Sequence, residues 1–183
     1  MMQNAHELVV AEWLNTDTAP TLAGLRGKVI LIEAFQMLCP GCVSHGLPQA
    51  KKVFETFSED DVAVLGLHTV FEHHSAQGTA DALGAFLHEY RIPFPVGIDQ
   101  PSGTGPLPVT MMTYHMQGTP TQLLIDRQGR LRAQRFGAVD DLRLGMEIGA
   151  LIAEPTAVFE RPPADKLPNQ KGSSCDDSGC PIP

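Results

Sequence analysis

Residues Val29–Phe35 read VILIEAF, an apolar run with a single acid in it, the pattern of a central strand buried on both faces. Directly after Cys39-Pro40, apolar residues fall at Val43, Leu47, Ala50, Phe54 and Phe57. That stripe predicts a helix with Pro40 in its first turn, where a missing N–H does no harm. Residues 62–67 predict a second buried strand, and Leu83, Phe86, Leu87 and Tyr90, spaced i, i+3, i+4, i+7, predict a second helix. Residues 93–98 suit a short strand, followed by a Pro/Gly-rich loop as far as Pro108. Segments 121–126 and 130–136 flank Arg127-Gln128-Gly129 as the arms of a hairpin. A last helix from about Asp140 carries Leu144, Ile148, Leu151 and Ile152 on one face. The order β-α-β-α-(β)-β-β-α predicts an α/β fold with helices on both faces of the sheet.

This patterning stops near residue 154. Residues 155–183 hold six of the chain's 15 prolines and four large aliphatic or aromatic residues, Val158, Phe159, Leu167 and Ile182. So little apolar surface does not offset the entropy of ordering the segment, so we expect a domain over 1–154 and a flexible, Pro-rich tail over 155–183. Across all 183 residues the chain is 43% hydrophobic and 19% charged, which excludes a disordered or fibrous protein. Thirteen Lys+Arg against 21 Asp+Glu give a net charge of −8, so no nucleic-acid or anionic-membrane partner is expected. No apolar run approaches the roughly 20 residues that cross a bilayer. The opening MMQNAHELVVAEWLN lacks the basic, apolar and small-residue regions of a secretory signal, and the expected location is cytoplasmic.

Four cysteines are too few for a disulfide scaffold, and they are unevenly placed: Cys39 and Cys42 form a CxxC, and Cys175 and Cys180 lie in the tail. In a reducing compartment that pattern points to redox chemistry or metal binding. At the start of a helix the first cysteine faces unpaired N–H groups and the positive end of the helix dipole, which favours the thiolate that attacks disulfides. Cys39 is then the nucleophile and Cys42 the resolving thiol. The alternative is half of a zinc site, whose second pair of cysteine ligands would have to come from Cys175 and Cys180.

LRGKVILIEAFQMLCPGC, LGLHT, FPVGID and GTPTQLLIDRQGRLRAQRFG together resemble the TlpA/ResA-type, AhpC/TSA-related redoxins over about residues 20–152. The resemblance implies a thioredoxin-like fold with a central mixed sheet. It also implies a cis Thr119–Pro120 peptide beside the CxxC, presenting backbone groups to an extended substrate. Glu33, six residues before Cys39, matches the buried acid of thioredoxins. Desolvation would raise its carboxyl pKa and suit it to accept the Cys42 proton. The other reading of Glu33 is a strand acid that reaches solvent or an arginine.

Several positions depart from the family pattern. Leu38 replaces the usual Trp before the first cysteine and, with Pro40, would line a different substrate surface. Pro48 falls six residues after Cys42 where relatives have five, which predicts an extra residue or bulge near Gly46 and leaves the register of 43–47 open. A peroxiredoxin would need Pro and Thr where Ile32 and Gln36 stand, so peroxidase activity is not expected. His68, His73, His74 and His115 raise a metal site as an alternative to polar loops, although LGLHT resembles a stretch of DipZ-type redoxins in which no metal is implied. His45, three residues after Cys42, is read as facing solvent. The tail pair Cys175 and Cys180 could be an internal redox shuttle, a metal site with Asp176 and Asp177, or simply free thiols.

The expectation is a thiol–disulfide oxidoreductase that acts on protein or small-molecule disulfides through Cys39, Cys42 and Glu33, with Thr119, Pro120, Leu38 and Pro40 binding substrate. Without a nucleotide-binding motif, no cofactor is expected, and electrons would come from a donor protein or a thiol pool. The alternatives are a non-catalytic thiol redox sensor and a metal-binding module.

Overall fold

A computed structural model describes residues 3–155. Six strands form one mixed sheet, β1 (Val10–Leu14), β2 (Val29–Phe35), β3 (Val62–His68), β4 (Val96–Asp99), β5 (Thr121–Ile125) and β6 (Leu131–Phe136). Their order across the sheet is β1-β4-β3-β2-β5-β6. β2 is buried at every position, as its apolar run requires, and pairs in parallel with β3 and antiparallel with β5. β4 continues the parallel half beyond β3, while β1 and β6 close the two edges antiparallel to β4 and β5.

The helical segments are a π-helical turn (Cys42–Gly46), α1 (Leu47–Thr56), α2 (His74–Gln77), α3 (Ala80–Glu89), α4 (Val109–Thr113) and α5 (Asp141–Ala153). Alternation along the strands sorts the core into two layers. Val29, Leu31, Phe35, Val62, Val64 and Leu124 meet α1, α3 and α5 on one face. Ile30, Ile32, Ala34, Leu65, Leu67, Leu123 and Ile125 meet Leu22, Tyr114 and Met111 of α4 on the other. Both faces are covered as expected, but the second carries only the short α4 and irregular chain. Thr79 caps α3 by accepting from the Ala82 N–H, and Asp140 caps α5 by accepting from the Arg143 N–H. Each cap stabilises its helix by about 1 kcal/mol.

The expected helix after Cys39 forms, but with a different buried row. The π turn shifts the register, so Cys42, Leu47, Ala50 and Val53 face the core, while Phe54 is 38% exposed and Val43 is only half-buried. This is the extra residue predicted near Gly46, accommodated by one i→i+5 turn in which the Leu47 N–H donates to the Cys42 carbonyl. His68 is not the start of a polar loop; it is the last residue of β3 and is fully buried. The tail cysteines Cys175 and Cys180 lie outside the described residues.

Candidate active site

β2 delivers the chain to the edge of the sheet at Phe35, and Gln36, Met37 and Leu38 turn it back into the helix that starts after Cys39. Two buried glutamines fasten this turn. Gln77, at the end of α2, donates through Nε2 to Gln36 Oε1 at 2.9 Å and to the Glu72 carbonyl at 2.9 Å, and its Oε1 accepts from the Leu38 N–H at 3.1 Å. The Cys39 N–H donates to the Gln36 carbonyl at 3.2 Å.

Cys39 and Cys42 are both free thiols, one half-buried and the other fully buried. The Cys42 backbone N–H donates to Cys39 Sγ at 3.2 Å, and the Cys39 thiol lies 3.5 Å from the Thr119 carbonyl. Burial, with the Cys39 sulfur close by, pushes the Cys42 thiol up to about 12. One sulfur is therefore reachable from outside, and the second waits beneath it in its thiol form.

Glu33 lies on the same face of β2 as Leu31 and Phe35, wholly buried, with no hydrogen-bond partner at either carboxyl oxygen. Burial pushes its carboxyl up to about 8, and the Gln122 amide acts in the opposite direction. The carboxyl sits under the π turn: a Cβ on Gly46 would run into Glu33 Oε1 and lie 3.1 Å from Pro120 Cβ. The alternative of a solvent-reaching or arginine-paired Glu33 is thereby overturned.

The Thr119–Pro120 peptide is cis. Pro120 packs against the start of the helix, where a Cβ on Gly41 would meet its Cδ at 3.3 Å. On the outer side, Leu38 is 56% exposed and Pro40 is exposed. Phe136, also 56% exposed, lies against Gly118, and the Gly137 N–H donates to the Pro120 carbonyl at 2.8 Å. Phe136 was not singled out from the sequence; its signal is an aromatic at the end of an edge strand whose outward position would ordinarily be polar.

The histidines do not converge. His45 is exposed and its ring shares a 2.7 Å hydrogen bond with Ser44, and His73 and His74 are exposed. His68 packs at 5.3 Å against Phe35, the two rings tilted by 43°, with both ring nitrogens unpartnered, and burial pushes it down to about 4. Among the described residues no cluster of three or more His, Cys, Asp or Glu side chains could hold a metal ion.

Comparison with known proteins agrees with this geometry. No protein-family profile matches the chain. A crystal structure of a thioredoxin-like superfamily protein is 62% identical, superposes with a TM-score of 0.81, and is matched over 84% of this chain and 98% of its own. A thiol-disulfide isomerase from Corynebacterium glutamicum is 48% identical, with a TM-score of 0.79 over 82% of this chain and 96% of its own. Protein DipZ of Mycobacterium bovis is 30% identical over 139 residues, 72% of this chain, and this chain spans only 18% of that protein's length. A mixed sheet that hands a CxxC to a helix beside a cis-proline, in a chain that covers 98% of a relative 62% identical to it, places this protein in the thioredoxin-like superfamily.

Proposed function

We propose that the protein is a thiol–disulfide oxidoreductase working through Cys39 and Cys42. The observation that carries this reading is the asymmetry of the two thiols: Cys39 half-exposed with an N–H aimed at its sulfur, Cys42 buried below it. Deprotonated Cys39 attacks one sulfur of a substrate disulfide, the substrate's S–S bond breaks, and the other sulfur leaves as a thiolate that takes its proton from solvent. This leaves a mixed disulfide beside Thr119–Pro120, with Leu38 and Pro40 against the substrate. Glu33 takes the Cys42 proton, and the Cys42 thiolate attacks Cys39 Sγ. The mixed disulfide breaks, the second substrate thiol leaves, and the enzyme is oxidised by the two electrons that the substrate has gained. A dithiol protein or thiol pool resets the Cys39–Cys42 disulfide. In the reverse direction the same Glu33 returns a proton to Cys42, which burial makes a poor leaving group as a bare thiolate. Protein disulfides suit the exposed rim of Leu38 and Phe136.

The test is a disulfide-exchange assay with trapping. Cys42→Ser should accumulate mixed disulfides through Cys39, and Cys39→Ser should abolish exchange. Retention of exchange by Cys39→Ser would reverse the assigned roles. Alkylation and mass mapping of all four cysteines across a dithiol/disulfide titration shows whether Cys39 and Cys42 move as one two-electron couple. The same map shows whether Cys175 and Cys180 exchange with them; a non-catalytic sensor would form the couple without turning over.

A further inference from the structure

The Glu33 carboxyl is served by a row of side chains that begins on the surface. Lys52 on α1 bonds Asp141 Oδ2 at 2.7 Å. Asp141 Oδ1 accepts from Gln49 Nε2 at 2.5 Å, and the same nitrogen donates to the Val139 carbonyl at 2.8 Å. With both acceptors on that side, the Gln49 amide has one orientation: a flip would set oxygen against oxygen twice. Its Oε1 is therefore turned inward, where it accepts from Gln122 Nε2 at 2.6 Å. Gln122 is in turn oriented with its nitrogen end engaged, and it stands directly across from Glu33 in the β2–β5 register.

We propose that Gln122, held in one orientation by Gln49, is a positioning residue that keeps the buried Glu33 carboxyl able to exchange a proton with Cys42. The proposal rests on the reading of Glu33 as the proton acceptor for Cys42. Apart from Gln122, the surroundings of Glu33 offer its charged form little. Gly66 stands opposite it on β3 and Gly46 above it, neither with a side chain, and the α1 and α5 residues of this core layer, Leu47, Ala50, Leu144 and Ile148, are apolar. The titratable or charged groups on this face are Cys42 on the π turn, Cys39 ahead of it, His68 at the end of β3 against Phe35, Arg135 on β6 and Glu147 on α5. Arg135 lies across from Gln122 and donates to Glu147 on α5 at 2.8 Å. Gln122 is thus the polar side chain set directly across from Glu33 in the sheet; its amide closes no hydrogen bond on the carboxyl, and as a neighbouring donor it favours the carboxylate against burial. A carboxyl with burial alone acting on it would stay protonated and leave Cys42 without an acceptor.

The experiment follows the resolution step in the full chain with Cys175 and Cys180 changed to serine. Cys39 is loaded with a chromogenic aromatic thiol, whose release by Cys42 is timed across pH. The unmodified site should speed up with pH along a single titration, and Glu33→Gln should lose that titration. Gln122→Leu should move its midpoint up by about one pH unit, the effect of replacing a polar neighbour of a charged group by an apolar one. Gln49→Leu, which touches neither Glu33 nor sulfur, should move it in the same direction by less. If Gln122→Leu does not fold, Gln122→Asn, which retracts the amide by one methylene, and Gln49→Leu give the same reading. An unchanged midpoint in the folded variants overturns the proposal while leaving Glu33 as the acceptor. A Glu33→Gln profile identical to the parent removes the acceptor reading itself, and this inference with it.

Discussion

Gly46 is the residue at which the site tolerates least. It has an ordinary helical backbone, so its constraint is space: any Cβ meets the Glu33 carboxyl on one side and Pro120 on the other. Gly46→Ala should push Glu33 out of place and destabilise the domain by about 1–3 kcal/mol, read by chemical denaturation. An unchanged midpoint would show that the carboxyl has room to move. Glu33→Ala should slow resolution by Cys42 far more than the first attack by Cys39, and stopped-flow traces of the two steps separate these outcomes. Cys39 and Cys42 were legible in the sequence from their spacing at a strand-to-helix junction, and Glu33 from an ionisable residue inside VILIEAF that matches the buried acid of thioredoxins. The glutamines were not. Gln36, Gln49, Gln77 and Gln122 look like ordinary polar positions, and only long-range packing turns their amides inward. Phe136 escaped notice for the opposite reason, being an apolar residue that packing leaves outside.

At the scale of elements, long periodic segments were readable and short ones were not. β2, β3, the hairpin and α5 formed within a few residues of where their apolar spacing put them. β1 was missed because an edge strand with only partial burial shows no clean alternation, and a register shift between Val10 and Glu12 breaks what there is. α2 and α4, of four and five residues, are too short for a period of 3.6 to register. α2 nevertheless has a defined task, since its last residue, Gln77, ties the turn before Cys39 to the rest of the fold. Gln77→Ala would strand the Leu38 N–H and leave Gln36 Oε1 with only the Phe71 N–H as donor, at about 1–3 kcal/mol. Faster hydrogen exchange at the Leu38 amide, with α5 amides unaffected, is the expected signature; equal acceleration throughout would point to global loosening instead.

For the molecule as a whole, two of the buried titratable groups, Glu33 and His68, set opposing slopes of stability against pH. Glu33 has its folded value raised from 4.5 to about 8, so the neutral form is favoured on folding. Its contribution is complete below pH 4.5 and is lost as pH climbs to about 8. His68 has its folded value lowered from 6.5 to about 4; its contribution is complete above pH 6.5 and is lost as pH falls to about 4. Between pH 4.5 and 6.5 the two slopes oppose each other. From 6.5 to 8 Glu33 acts without His68, so thermal midpoints should decline there and become flatter in Glu33→Gln. A parent curve that is level over that range would contradict a carboxyl buried neutral.

The far pole of the domain is built quite differently from the site. Arg127 donates to the carbonyls of Gly27, ahead of β2, and Ile152, near the end of α5, while Arg132 grips the Glu154 carboxylate at 2.6 Å. Because β2 runs from that pole toward Cys39, its seven residues at about 3.3 Å each set the two ends roughly 20 Å apart. A domain anchored to an electrode or bead through a group placed just after residue 155 would therefore stand with its thiols facing the solution. Surface-bound electrochemistry could then read the couple without the support masking it.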